Sequence, residues 1–164
     1  MNYLLGIDLG TSGLKAALFD EAGECVASAA EGYPLSQPEN GWAEQDPEHW
    51  WSACVNTIRT VVERAGISPA DIAGLGLSGQ MHGLVMLDGD GRVLGSSILW
   101  CDGRTGEECR EITRRVGAQR LIDITANPAL PGFTAGKVLW VQRHLPEQWA
   151  ACRPILLPKD YLRY

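Results

Sequence analysis

The sequence predicts an α/β fold, a mixed sheet with helices packed on it. Three observations point there. Three apolar runs stand close together, "YLLGIDL" at 3–9, "LKAALFD" at 14–20 and "CVASAAEGY" at 25–33, separated by short turns that contain glycine. A long amphipathic run follows them. A fourth apolar run, "IAGLGLSG" at 72–79, comes after that.

Runs joined by so few residues pair as antiparallel hairpins, so the first three make a meander. Residues 34–47 hold three prolines and an Asn-Gly and read as a long polar loop. Asp46 is then an N-cap and Pro47 the first helical residue. Trp51, Cys54, Val55, Ile58, Val61 and Val62 recur at three and four, which predicts a helix to about Ala65 with these residues as its buried stripe. Gly66 stops it. Ser68-Pro69 starts one helical turn, and 72–79 is a short buried strand. "GLVMLD" at 83–88 is the next strand, "GDGR" a hairpin turn, and "SSILW" at 96–100 a strand leading into "CDGR". Helices are expected from Thr105 to about Val116, over 118–124, from a Thr134 cap to near His144, and over "LPEQWAAC". The last stretch, "RPILLPKDYLRY", reads as a strand, a turn and the start of a helix. Domains usually end in frayed polar tails, so a piece of a larger protein is expected.

The 164 residues are 45% hydrophobic and 21% charged, ordinary for a globular protein with a real core. The net charge of −6 and the lack of a basic cluster argue against nucleic acid as a partner. No apolar stretch reaches the ~18–20 residues that cross a membrane. The five cysteines form no C-x-x-C pair, which argues against structural zinc and for reduced thiols in a cytoplasmic setting.

Three constellations carry polar chemistry. In the first, Asp8 ends an apolar run and is followed by the turn Gly10, Thr11, Ser12 and Gly13. A carboxylate there can hold a hydrated Mg²⁺, which takes one or two carboxylates plus phosphate oxygens. The turn's backbone N–H groups can form a nest for phosphate. Asp, Gly, Thr and Ser are also ordinary turn residues, and the residues alone leave both readings open. Lys15 lies on the face opposite Leu14 and Ala16, toward a phosphate or toward solvent.

In the second, Gln80, Met81 and His82 stand between Gly79 and Gly83. The glycines suggest close backbone approach, and Gln and His suit sugar hydroxyls better than a metal. A loop histidine with no ligand is the alternative. In the third, Trp100 offers a flat apolar wall beside Asp102 and Arg104, a mixture that suits a polyol. Asp102 could equally cap the following helix.

"GIDLGTSGLKAALFD", "EQDPEHWW", "GLSGQMHGLVMLD", "ILWCDGR", "PGFTAGKVLW" and "LLPKDYLR", in this order and over essentially the whole chain, resemble the N-terminal part of the FGGY carbohydrate kinases. "GQMHG" and "LLPKDYLR" are the narrower motifs and resemble the branch that phosphorylates D-xylulose. The resemblance implies an RNase H-like fold of the actin, Hsp70 and sugar-kinase type. Residues 1–164 would be a partial first lobe, with a phosphate-hairpin meander at 1–33 and sugar-site strands and loops at 72–104. It implies ATP and Mg²⁺ as cofactors and transfer of the γ-phosphoryl of ATP to the 5-hydroxyl of D-xylulose. By the same resemblance Asp8 stands near Mg²⁺ and the transferred phosphoryl. Gly10, Thr11, Ser12 and Gly13 belong to the phosphate side, to which the residue reading adds Lys15. Met81, His82, Trp100, Asp102 and Arg104 belong to the sugar side, to which the residue reading adds Gln80.

Gly136 before Lys137 departs from the family's Pro-Lys, which is expected to weaken a turn rather than the chemistry. Ala126 stands where glycine is common. The family's second phosphate loop, "GGGDN"-like and carrying the general base, does not occur in this sequence, so the isolated chain is expected to be inactive. Another FGGY kinase acting on ribulose, gluconate or glycerol is the alternative, and so is a non-catalytic domain whose exposed apolar face drives formation of a homo-oligomer. A metal-dependent nuclease would need several gathered carboxylates and a basic groove, and the sequence offers neither.

Overall fold

Turn spacing makes the meander. Strands β1 (Tyr3–Leu9), β2 (Gly13–Phe19) and β3 (Cys25–Gly32) pair antiparallel in the computed structural model, which describes residues 2–164. The chain divides into two compact units. Unit 1 takes residues up to 34, 46–80 and 158–164; unit 2 takes 35–45 and 81–157.

A short strand, β4 (Glu44–Gln45), precedes the main helix in the chain and belongs to unit 2. Helix α1 (Pro47–Ala65) starts where the cap predicts: the Asp46 carboxylate accepts from the Glu48 N–H. It ends at Gly66, whose φ of 64° allows its N–H to reach the Val62 and Glu63 carbonyls. The helix lies on β2 and β3, over the alternating Leu14, Ala16 and Leu18. Its buried residues are Pro47, Trp50, Ala53, Cys54, Thr57 and Val61. Cys54 and Val61 of the expected stripe are buried and Val55, Ile58 and Val62 partly so, but Trp51 is exposed and Trp50 takes the fully buried place. Adjacent helical positions differ by about 100°, so either tryptophan satisfies the apolar spacing.

A single 3-10 turn, Pro69–Asp71, carries the Ser68 capping box. Strand β5 (Ile72–Gly79) then joins the sheet parallel to β1, giving the order β3-β2-β1-β5. None of its residues is fully buried, contrary to the expected buried strand. It stands at the end of the strand order, beside β1 and beyond the two strands that α1 covers. The last helix, α6 (Pro158–Arg163), returns to α1, where the Tyr161 hydroxyl donates to Glu48 Oε1 at 2.8 Å.

Unit 2 holds two small ladders and four helices among the described residues. Strand β4 pairs with β7 (Ser97–Ile98), and β6 (Val85–Met86) pairs with β8 (Ile155–Leu156), both antiparallel. The runs at 83–88 and 96–100 therefore pair over fewer residues than expected, extended by isolated bridges from Leu84 and Leu87. Helices α2 (Gly106–Val116), α3 (Ala118–Thr125), α4 (Thr134–His144) and α5 (Pro146–Ala151) follow. Thr134 does not cap α4: Phe133 holds that position, and no side chain caps it. The core gathers Leu84, Met86, Ile98, Trp140 and Val141.

Candidate active site

Unit 1 presents the phosphate-side residues on the sheet face opposite α1. Alternation along β1 buries Leu5, Ile7 and Leu9 and turns Asp8 outward. In the ladders Asp8 stands opposite Lys15 on β2 and Ser78 on β5. Directly paired residues on one face are close neighbours, so a cation, a carboxylate and a hydroxyl form one row. Beside it runs a row of small residues, Gly6, Ala17 and Gly76, and the two rows line an open hollow of about 470 Å³. Ser78 is not among the candidate residues read from the sequence; its register against Asp8 exists only once β5 is placed.

The turn beyond Asp8 is closed by the Gly10 N–H donating to the Gly13 carbonyl at 3.0 Å. Tyr33, just after β3, donates its hydroxyl to the Gly10 carbonyl. Burial, reinforced by the nearby Asp8 charge, pushes the Tyr33 hydroxyl pKa well up, so it remains a donor. Gly13 is required by contact: a Cβ there would lie 2.7 Å from the Glu31 carbonyl. Gly79 has a similar cause. A Cβ would meet Leu9 Cβ at 2.9 Å, so its close approach is to the neighbouring strand. The Gln80 N–H continues that pairing by donating to the Leu9 carbonyl at 2.7 Å.

The second segment of unit 2 begins at Met81, which is exposed. His82 has a φ of 62°, and the Gly83 N–H donates to the Met81 carbonyl at 2.8 Å. This is a γ-turn of the rarer, positive-φ kind. Such a conformation at a residue with a Cβ costs of order 1–3 kcal/mol and persists only where its surroundings hold it. The His82 ring packs on Phe133, with centroids 4.4 Å apart. Its carbonyl accepts from Lys137 Nζ at 2.6 Å and from the Thr134 hydroxyl at 3.2 Å. A cavity of about 380 Å³ opens beside this loop, walled by His82, Cys109, Leu121, Leu130, Phe133 and Gly136.

Trp100 is half exposed, as a wall residue would be. Asp102 and Arg104 are not. Asp102 does not cap α2, since Thr105 takes that position. Its carboxylate accepts from the Ala43 N–H, the Arg104 N–H and the Arg104 guanidinium. Arg104 also pairs with Glu44 at 2.7 Å, and its guanidinium lies 3.6 Å over the Trp42 ring. Both side chains are almost wholly buried. They shape the loop that carries Trp100 rather than extending from it.

The segment 131–137 joins the two loops. The Thr105 hydroxyl donates to the Pro131 carbonyl, and Gly132 passes so close to Trp100 that a Cβ would lie 2.6 Å from its carbonyl oxygen. Gly136 is equally constrained, with a Cβ position 2.9 Å from Thr105 Oγ1. It marks a close helix contact, not the weakened turn expected from the sequence.

Among the described residues no group of three or more His, Cys, Asp or Glu side chains could hold a metal ion. A lone exposed carboxylate fits Mg²⁺ held through water and shared with phosphate oxygens, the mode that cation favours.

The model of the "FGGY family of carbohydrate kinases, N-terminal domain" matches residues 3–164. The chain belongs to the FGGY family of carbohydrate kinases. This FGGY chain is 48% identical to the xylulose kinase of Escherichia coli (strain K12), over 97% of its own length and 32% of that protein. It superposes on the xylulose kinase of Rhodospirillum rubrum with a TM-score of 0.93 at 30% identity, covering 99% of this chain and 33% of that one. It superposes on a gluconate kinase of Lactobacillus acidophilus with a TM-score of 0.89 at 32% identity, covering 98% and 32%. The FGGY chain thus spans about a third of the length of the relatives it matches, and its fold is the sugar-kinase type expected from the motifs.

Proposed function

We propose that this chain supplies the first phosphate turn and the sugar-side residues of a kinase that transfers the γ-phosphoryl of ATP to D-xylulose, forming D-xylulose 5-phosphate. The observation that carries this reading is the 48% identity, over 97% of the chain, to a relative named as a xylulose kinase. The geometry of each unit supports it. Phosphoryl transfer is catalysed mainly by positioning and charge stabilisation. In unit 1 Asp8 would hold Mg²⁺ through water, Lys15 offsets phosphate charge, and the N–H groups of residues 11–13, beyond the Gly10 N–H that closes the turn, receive phosphate oxygens. When bound, Mg²⁺ neutralises charge on the phosphate oxygens during transfer. In unit 2 Met81, His82 and Trp100 face the sugar, Asp102 and Arg104 hold the Trp100 loop, and Gln80 precedes them from the end of β5. The base that orients the attacking hydroxyl is assigned outside these 164 residues, so the isolated chain is inactive.

A coupled assay with ATP, Mg²⁺ and D-xylulose tests this on the 164-residue chain and on the longer gene product. Turnover is expected only in the longer protein. There Asp8→Ala lowers kcat at least about 100-fold, the scale of losing one group that stabilises transition-state charge, without lowering Tm. Turnover by the short chain would overturn the assignment of the base. The gluconate kinase superposition, with its TM-score of 0.89, keeps a second reading open, a kinase of another polyol or sugar acid. Activity of the longer protein on gluconate and not on D-xylulose would decide for it.

A further inference from the structure

Lys137 is a costly residue to bury. Its side chain has no exposed surface. A buried ammonium forfeits its hydration. It also sits in the first turn of α4, at the end of a helix that disfavours a cation. The nearby carboxylate of Asp102 is already engaged by Arg104. Burial pulls the Lys137 pKa down to about 8, against the raising effect of Asp102. What the ammonium does touch is backbone: the carbonyls of His82 at 2.6 Å and Gly132 at 2.7 Å. The first belongs to the strained γ-turn. The second belongs to the glycine pressed against Trp100.

We infer that Lys137 is a positioning residue of the sugar site, its ammonium tying the His82 turn to the Gly132 turn so that His82 and Trp100 are presented in one fixed geometry. The assignment to a sugar rests on the function proposed above; the tether itself does not. With no exposed surface Lys137 meets no ligand, so it acts through His82. Thr134 reinforces the tether. Its hydroxyl and the ammonium are two donors to one carbonyl, which has two lone pairs to offer. Charge-assisted hydrogen bonds are the stronger kind, which suits the ammonium to holding a strained turn.

The test compares the wild-type chain with Lys137→Met and Thr134→Val by NMR, following the His82 ring, the Gly83 amide and the Trp100 and Trp140 indoles, with D-xylulose titrated into each. The Gly83 amide is the sensitive probe, because its peptide group contains the tethered carbonyl. In Lys137→Met the Trp140 signal and a cooperative melt are retained, while the His82 and Gly83 signals move or broaden. D-xylulose affinity falls about tenfold or more, the effect of losing one hydrogen bond to a charged group. Thr134→Val moves the same signals by less. If Lys137→Met fails to fold, Thr134→Val carries the test alone, with the same signals and a smaller loss of affinity. His82 and Gly83 signals unchanged in the folded variants would overturn the tether. Failure of the wild-type chain to bind D-xylulose would count against the sugar assignment, while the Gly83 and His82 signals would still decide the tether.

Discussion

Asp102 and Arg104 hold opposite charges that almost no solvent reaches. Removing one member of such a pair leaves the other buried without its counter-charge, at a cost of about 3 kcal/mol or more. Asp102→Asn is therefore expected to lower the stability of unit 2 by about that amount, read from the midpoint of urea unfolding. An unchanged midpoint would mean that Glu44 alone balances Arg104. Asp8 is the contrary case, an exposed carboxylate in a polar row, whose loss should spare the fold. In the sequence Asp8 and Asp102 look alike, each an acid that follows an apolar run and has a glycine within two residues. The difference lies in partners: Asp102 finds the Ala43 N–H from a segment far away in the chain.

At the scale of the element, the glycines of the sheet divide by what surrounds them. A Cβ at Gly13 would collide with the backbone of β3, whereas one at Gly76 would meet nothing within 4 Å. Gly13→Ala should cost about 1–3 kcal/mol, as overpacking does. Gly76→Ala should change stability by no more than about 0.5 kcal/mol, and denaturant unfolding of the pair checks the contrast. The hairpin after β6 gives a pH dependence. The Asp88 carboxylate accepts from the Arg92 and Asp90 N–H groups. The Arg92 backbone bond is the largest influence holding its pKa below the usual carboxylate range. A lowered folded-state pKa contributes stability that is present above the unfolded value and lost as pH falls through the folded one. Asp88→Asn should therefore flatten the loss of stability below about pH 4, measured as denaturation midpoints across the acid range.

Over the whole molecule, the free thiols mark both units. Cys25 and Cys101 are exposed, while Cys54 in unit 1 and Cys109 in unit 2 are buried. Burial raises the pKa of both buried thiols, which keeps them protonated as well as covered. Alkylation at neutral pH should label Cys25 and Cys101 at once. Cys54 and Cys109 should react at least about 100-fold more slowly, through opening of their units. Mass spectrometry of labelled peptides gives the four rates. Fast labelling of Cys54 would mean that α1 does not cover the sheet as described.

What the sequence by itself determined is the set governed by neighbours along the chain. Asp46, Pro47 and Gly66 bound α1 because capping acts over a few residues. Glycine turns of fixed length order the meander because a short loop allows only antiparallel return. The motif order announced the FGGY family. Only the tertiary structure decided which of two adjacent tryptophans faces the core, that Ser78 stands beside Asp8, and that Lys137 reaches the His82 carbonyl. Each of these depends on groups distant in the chain, and residue spacing carries no record of which donor will lie beside which acceptor once the core closes.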